Sequence, residues 1–361
     1  MGEISSSGGT AAPVLPPLPV RFTGSGGAYF GIWIVNVLLT ILTVGIYSSW
    51  AKVRRLRYFY RHTELADSSF DFHGSPGRIL LGRVVALAMF LVYNYFLRMR
   101  SPWTLLVLGL FLLVLPWLLR NSFRFRLYNT SWRNTRFHFR GSVAGAYHVV
   151  LLNGLLTLLT LYMLAPFTHQ RFKAYQHNNS YFGRARFSFH ATAGQFYLVY
   201  LLLLASMVAL FIVLGAAGFG GVLLALGKAS QQGGHADARA LVRSVFLLYA
   251  TLILYGLLIG PIFHALITNL IWNNTRLGEH RIECRLSPLP LIWIGVSNLV
   301  LVALTLGLFM PWASVRLAKY QAECMRLLPA TDLQEFVDTE PEKVGAVGEE
   351  AMSMFDFDIA L

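Results

Sequence analysis

Seven stretches of this chain are apolar over roughly twenty residues each: 28–50, 77–97, 102–119, 143–166, 195–222, 240–260 and 289–312. A bilayer core about 30 Å thick takes about 20 apolar residues per helix, and inside it every backbone polar group must be satisfied internally. With 55% apolar and 13% charged residues in 361, soluble globular classes are excluded. The expectation is an all-α polytopic membrane protein of about seven transmembrane helices, built from internal repeats, with short helix-strand caps outside the bilayer. The fifth run is the least defined, because "LGAAGFGGVLLALG" (214–227) reads as a continued helix, a kink or a loop.

Charge is spread unevenly. Residues 72–236 contain no Asp or Glu, whereas nine of the seventeen acids follow residue 330, opposed there only by Lys343. A basic body beside a membrane implies positive-inside topology and attraction to anionic lipid headgroups. Nucleic-acid binding is a poor fit, since the cations follow the ends of apolar runs and form no single soluble face. Residues 1–20, "MGEISSSGGTAAPVLPPLPV", read as a disordered arm with no signal-peptide pattern. The opening Met-Gly with Ser6 fits a bare myristoylation pattern too short to exceed chance. Residues 329–361 read as an acidic tail whose end, "FDFDIAL", alternates like a strand and is expected to dock on the basic body, or else to be solvated.

The region 21–328 repeats itself. Trp50 is followed thirteen residues later by Thr63 and then by "FDFHG" from Phe70; Trp117 by Thr130 and "FHFRG" from Phe137. Phe167 leads in the same way to Ser180 and "FSFHA" from Phe187, and Ile262 to Thr275 and "IECRL" from Ile282, while a fifth, partial copy starts at Trp312. Fourteen residues before Trp50, Phe167 and Trp312 stand Asn36, Asn153 and Asn298, each followed at seven by Thr43, Thr160 and Thr305. Segments 28–50, 143–166 and 289–312 are therefore copies of one helix, separated by helix pairs at 77–119 and 195–260.

Each copy implies a helix leaving the membrane with cations and aromatics three to four residues apart. Lys52, Arg54, Arg55, Arg57, Arg124, Arg126, Arg171 and Lys173 become candidates for lipid-headgroup or partner binding. Phe70, Phe72, Phe137, Phe139, Phe187 and Phe189 alternate with polar residues, as a strand with one buried face does. If all seven segments span, 19 Lys and Arg fall inside and 10 outside, with the third and fourth motifs outside. Simple spanning is the preferred reading. Re-entrant segments that return all motifs to one side are the alternative, allowed by the polar Asn and Thr at their midpoints.

"AYFGIWIVNVLLTILTVGIYSSWAKVRRLRYFYRHT" (28–63) followed by "FDFHGSPGRILLGR" (70–83) resembles the bacterial inner-membrane YjgN-like family, whose function is unknown. The resemblance covers about residues 20–328. The third and fourth copies depart more, with Ile282 and Cys284 where the pattern has Phe. The resemblance implies a multi-pass protein of the bacterial inner membrane and supplies no activity or catalytic residue.

Enzymatic chemistry finds little footing. The apolar segments hold no carboxylate, the ten His show no metal-ligand spacing, and only Cys284 and Cys324 are present. No cofactor or metal is expected. His169 and His264 share a repeat position, and "GFGG" (218–221) is a bend lacking the Lys of a phosphate loop. Transport is one functional expectation, since repeat-built bundles place substrate between repeats and Asn36, Thr43, Asn153, Thr160, Asn298 and Thr305 are polar groups at the right depth. Asn and Thr as hydrogen-bond glue between helices, in a scaffold that binds anionic lipid or a partner through its basic motifs, is the other.

Overall fold

The computed structural model describes residues 15–216, 227 and 238–330. Strand β1 (Leu18–Phe22) precedes helices α1 (Gly26–Leu42) and α2 (Ser48–Arg61) and strands β2 (Thr63–Leu65) and β3 (Ser68–Phe72). Helices α3 (Pro76–Arg98) and α4 (Trp103–Tyr128) then lead to β4 (Thr130–Trp132) and β5 (Thr135–Phe139). Next come α5 (Val143–Leu159), α6 (Ala165–Asn178), β6 (Ser180–Phe182) and β7 (Ala185–Phe189). Helices α7 (Ala193–Ala216) and α8 (Ala238–Asn273) precede β8 (Thr275–Leu277) and β9 (His280–Cys284), and α9 (Pro288–Leu304), α10 (Met310–Glu323) and β10 (Met325–Leu328) finish the described chain. The element order thus passes five times through a helical hairpin followed by a β-hairpin. In the fifth pass the second strand is β1, supplied from the other end of the sequence.

The ten strands close into one antiparallel barrel, ordered β1-β10-β9-β8-β7-β6-β5-β4-β3-β2. The seam is β1 on β10, with Leu18 opposite Leu327 and Pro19 opposite Arg326. Closure removes every free edge. It also overturns the all-α, seven-span expectation. The four β-hairpins and the β10–β1 pair meet in one barrel, so all five helical hairpins leave from and return to the same end of the molecule. Four described helices are long and apolar enough to cross a membrane, α3, α4, α7 and the Leu248–Asn273 part of α8. The segments expected at 28–50, 143–166 and 289–312 are instead helix-turn-helix pieces whose first helices have 17 residues each, about 25 Å of rise. The ambiguous 214–227 stretch and the acidic tail lie largely or wholly outside the described residues, and β1 begins within the stretch read as an arm.

The turns explain why an unbroken apolar run does not become one helix. Thr43 Oγ1 donates to the Leu39 carbonyl at 2.7 Å and accepts from the Tyr47 amide at 2.9 Å. Thr305 does the same with Leu301 (2.7 Å) and Phe309 (3.0 Å), and Thr160 with Leu156 (2.8 Å) and Leu164 (3.3 Å). Each Thr stops its helix by satisfying groups on both sides of the break. The chain then turns through left-handed residues, Val44 and Gly45, Leu161 and Tyr162, Leu306 and Gly307. Gly bears this conformation without strain, whereas in the middle hairpin Tyr162 holds it at φ 66°.

Strand alternation sorts the Phe-x-Phe residues. Phe70, Phe137 and Phe187 pack with Leu65, Trp132, Phe182, Leu277, Ile282 and Leu327 in the barrel interior. Two residues on, Phe72, Phe139 and Phe189 share the inward face at the barrel's helix end, where each packs on helices. Between them Asp71, His138, Ser188 and Glu283 take the opposite parity and point outward. The Gly after Phe-x is tightly packed where it occurs: a Cβ on Gly24 or Gly141 would come within 2.7 or 2.6 Å of the Phe22 or Phe139 ring, whereas the third copy carries Ala191, buried beside Phe189. Where Cys284 replaces the Phe, Leu286 replaces the Gly and is buried beside it. The small residue and the large one have exchanged places.

Candidate functional site

Where each returning helix meets the barrel, local chemistry repeats. Thr63, Thr130, Ser180 and Thr275 donate their hydroxyls to the carbonyl four residues back at 2.7–2.9 Å. Asn129, Asn179 and Asn274 do so with side-chain amides at 2.7–2.8 Å. These bonds satisfy carbonyls that a helix end leaves open, and they fix the height at which these four helices meet the barrel. In the three short hairpins a tyrosine ties the returning helix to the start of the first: the Tyr58, Tyr175 and Tyr320 hydroxyls donate to the Ser25, Ser142 and Ser287 carbonyls at 2.7, 2.8 and 3.0 Å.

The result is a basic collar between barrel and apolar hairpins. Arg54, Arg55, Arg57 and Arg171 are exposed; Lys52, Arg124, Arg126 and Lys173 are half-buried. Arg57 donates to the Phe72 carbonyl at 3.2 Å, Lys173 to Gln176 at 3.2 Å, and Arg55 lies 5.9 Å from the Phe59 ring centre. Lys52, Arg124, Arg126 and Lys173 have further interactions within the molecule. The collar thus draws together cations from three of the motifs, and Arg316 and Lys319 of the partial fifth copy join it on α10. The fourth contributes none on its returning helix, where His264 and Asn269 stand at positions that carry cations elsewhere.

Two of the three repeated Asn residues answer to this collar. Arg54 donates to Asn36 Oδ1 at 3.4 Å and to the Tyr47 hydroxyl at 3.0 Å, and Arg316 donates to Asn298 Oδ1 at 2.8 Å. Asn36 and Asn153 are buried and Asn298 is half-buried. The three Asn and three Thr sit in separate hairpins, each pair bonded within its own. His169 hydrogen-bonds Tyr200 at 3.0 Å and His264 meets Gln321 at 3.1 Å, so the two shared-position histidines have unrelated neighbours.

One concave feature escaped the sequence. A groove of about 320 Å³ runs along α6 past Phe167, Arg171, Tyr175 and Asn178, with His148 and Val149 of α5 opposite. The α6 residues fall at i, i+4, i+8 and i+11, one helical face. No spacing marks His148, which belongs to no repeated position. At the barrel end of α6, His177 is almost wholly buried, stacked on Phe189 with centroids 5.4 Å apart and edge-on to Trp272 at 5.5 Å. Burial, helped by nearby Lys173, pushes its pKa down to about 3, so the ring is neutral.

Among the described residues, no group of three or more His, Cys, Asp or Glu could hold a metal ion. No solved structure matches the chain. It is 22% identical to the inner membrane protein YjgN of Salmonella typhimurium, over 88% of this chain and 90% of that protein. The inner membrane protein YjgN of Escherichia coli K12 is 37% identical over a shorter stretch, 36% of this chain and 32% of that protein. The family described as bacterial protein of unknown function, DUF898, matches residues 17–354. With apolar helices of membrane-crossing length and a match over nearly its whole length, the chain belongs to the DUF898 family of bacterial proteins of unknown function.

Proposed function

We propose that this protein sits in the bacterial inner membrane with its barrel in the cytoplasm and uses the basic collar to hold anionic lipid headgroups. The observation that carries the reading is the closure of the barrel. With all five strand pairs at one end, only Arg98, Arg100, Lys228, Arg239 and Arg243 fall by chain position toward the far side, leaving 24 of the 29 cations before the tail on the barrel side. That asymmetry is steeper than the 19 to 10 of a seven-span arrangement and fits the positive-inside rule. Each Lys or Arg near an anionic surface contributes about 1 kcal/mol of attraction. The apolar turns support the same placement: Val44, Leu161 and Leu306 are 93%, 86% and 94% exposed, as residues dipping into lipid are.

Transport draws no support from Asn36, Asn153, Asn298 and their Thr partners, which bond within separate hairpins. The test is native mass spectrometry of the full chain released from nanodiscs of mixed phosphatidylglycerol and phosphatidylethanolamine. Retained lipid is expected to be enriched in phosphatidylglycerol, with the enrichment shrinking as salt rises. Retention in proportion to the supplied mixture refutes the reading.

A further inference from the structure

The three short hairpins are built alike yet differ in one place. In each, the Asn stands ten residues after the first helical residue: Gly26 to Asn36, Val143 to Asn153, Pro288 to Asn298. In the first and third, the Arg four residues after the aromatic exit donates to that Asn, Arg54 to Asn36 and Arg316 to Asn298. In the middle one, α5 winds as a π-turn over His148–Leu152, closed by the Asn153 amide donating to the His148 carbonyl. No residue has been inserted, so the wider turn rotates the part of α5 before it relative to Asn153 and the residues that follow. The Asn153 side-chain amide nitrogen, in a residue 3% exposed, has no hydrogen-bond partner among the described residues. Arg171, the counterpart of Arg54 and Arg316, lies instead over the Phe167 ring, 5.1 Å from its centre, and lines the groove with His148 and Asn178.

Two further oddities fall in this same hairpin. Its tip carries Tyr162 in the left-handed region where the others carry Gly45 and Gly307. Gly145 on α5 lies so close to Tyr175 that a Cβ there would come within 2.9 Å of the ring. π-turns inside α-helices concentrate at functional sites, and backbone strain persists only where the surroundings hold it.

We infer that the middle hairpin is a specific site for one anionic phospholipid, its phosphate bound by Arg171 with His148 and Asn178, and its acyl chain laid over Phe167 and Val149. The inference rests on the collar reading and deepens it: where the other hairpins spend their arginine on an internal asparagine, this one turns it outward. A guanidinium over an aromatic ring keeps its N–H edges free for a phosphate. The groove is otherwise apolar, as an acyl chain needs. The nearest acids in sequence are Asp71 and Asp237, so nothing on these two helices competes with the ligand for the cation.

The test compares the full-length wild type with R171Q, R171K, R54Q and R316Q in nanodiscs of phosphatidylglycerol and phosphatidylethanolamine, followed by native mass spectrometry under rising collisional activation. One phosphatidylglycerol per chain is expected to outlast all others in wild type, R54Q and R316Q. R171Q should lower the retained fraction at least tenfold, and R171K should restore part of it. A174L, which fills the groove without touching the charge, should mimic R171Q and keeps the test informative if R171Q misfolds. Retention unchanged in both R171Q and A174L, or lost equally in R54Q, overturns the site. So does displacement of the lipid by millimolar inorganic phosphate, which would reassign the groove to a soluble anion. Bulk phosphatidylglycerol enrichment with no singly retained lipid defeats this site alone, whereas no enrichment in any variant defeats the collar reading itself.

Discussion

The barrel seam admits a direct test. Pro19 and Arg326 are opposite each other on β1 and β10, both exposed, with parity opposite to the interior residues Leu18 and Leu327. Directly opposed antiparallel residues have Cα atoms about 4.5–5.5 Å apart, within the range a disulfide spans. In a chain with Cys284→Ala and Cys324→Ser, the pair Pro19→Cys and Arg326→Cys should oxidise to a bond that joins the two ends of the described chain. It closes a loop on the order of 300 residues, for which the chain-entropy relation gives about 5–6 kcal/mol of stabilisation. That figure is a ceiling, because the membrane-crossing hairpins keep structure in the denatured state and have less entropy to lose. The assay is gel mobility with and without reductant, then the unfolding midpoint of each form in detergent. Ser131→Cys with Arg136→Cys, opposed across β4 and β5 of one hairpin, is the positive control. If the control pair oxidises and the seam pair does not, the barrel is open at β1 and the inference that all five motifs lie on one side loses its foundation.

Three further outcomes are expected. Gly74→Ala places a Cβ into the Phe72 ring and should cost about 1–3 kcal/mol; in the fourth unit Cys284→Phe should be destabilising alone and substantially rescued by Leu286→Gly, as paired unfolding midpoints will show. His177, neutral when folded, is protonated in the unfolded chain below about pH 6.5, so its contribution is complete above that pH and is lost as pH falls toward about 3, by about 2 kcal/mol at pH 5; His177→Gln should flatten stability between pH 7 and 5, and an unchanged slope refutes the burial argument. Single cysteines at Asp67, Arg133, Arg184 and Glu279, one in each described β-hairpin turn, should all react with a membrane-impermeant maleimide from the same side of inverted vesicles, whereas labelling of Arg184→Cys from the opposite side would restore the alternating arrangement.

What the sequence disclosed was chemistry confined to a few neighbouring residues. Thr63, Thr130, Ser180 and Thr275 could be aligned because each serves a helix end four residues away, and Phe-x-Phe because strand alternation is local. Hydropathy failed at the three short hairpins, since it counts apolar residues and is indifferent to where they turn. The signal is nevertheless present: Thr43 and Thr305 are each followed at two residues by Gly, the signature of a helix stop, although a polar residue at that depth equally suits a buried hydrogen bond. β1 went unseen because its partner in the repeat stands at the other end of the chain. "VRFTGSGG" (20–27) carries the same Phe-x-Gly-Ser as "FDFHGSPG" (70–77), but only ring closure gives it a reason to. The groove beside α6 had no sequence signal at all, because Asn153 and Arg171 keep the spacing of their counterparts and only the winding between them differs.

The alternation of hairpin lengths has a consequence for the bilayer itself. Long and short hairpins follow one another around a ring of five, and an odd ring cannot finish an alternation, so the two short hairpins at the seam, α1/α2 and α9/α10, are neighbours. In the proposed placement ten helices enter the leaflet next to the barrel and the four long ones reach the far one. At about 10 Å across per helix, the protein displaces about 800 Å² of lipid on one side and about 300 Å² on the other. Its footprint is a cone, and a membrane that holds many copies must either bend toward the narrow side or gather its lipids to fill the difference.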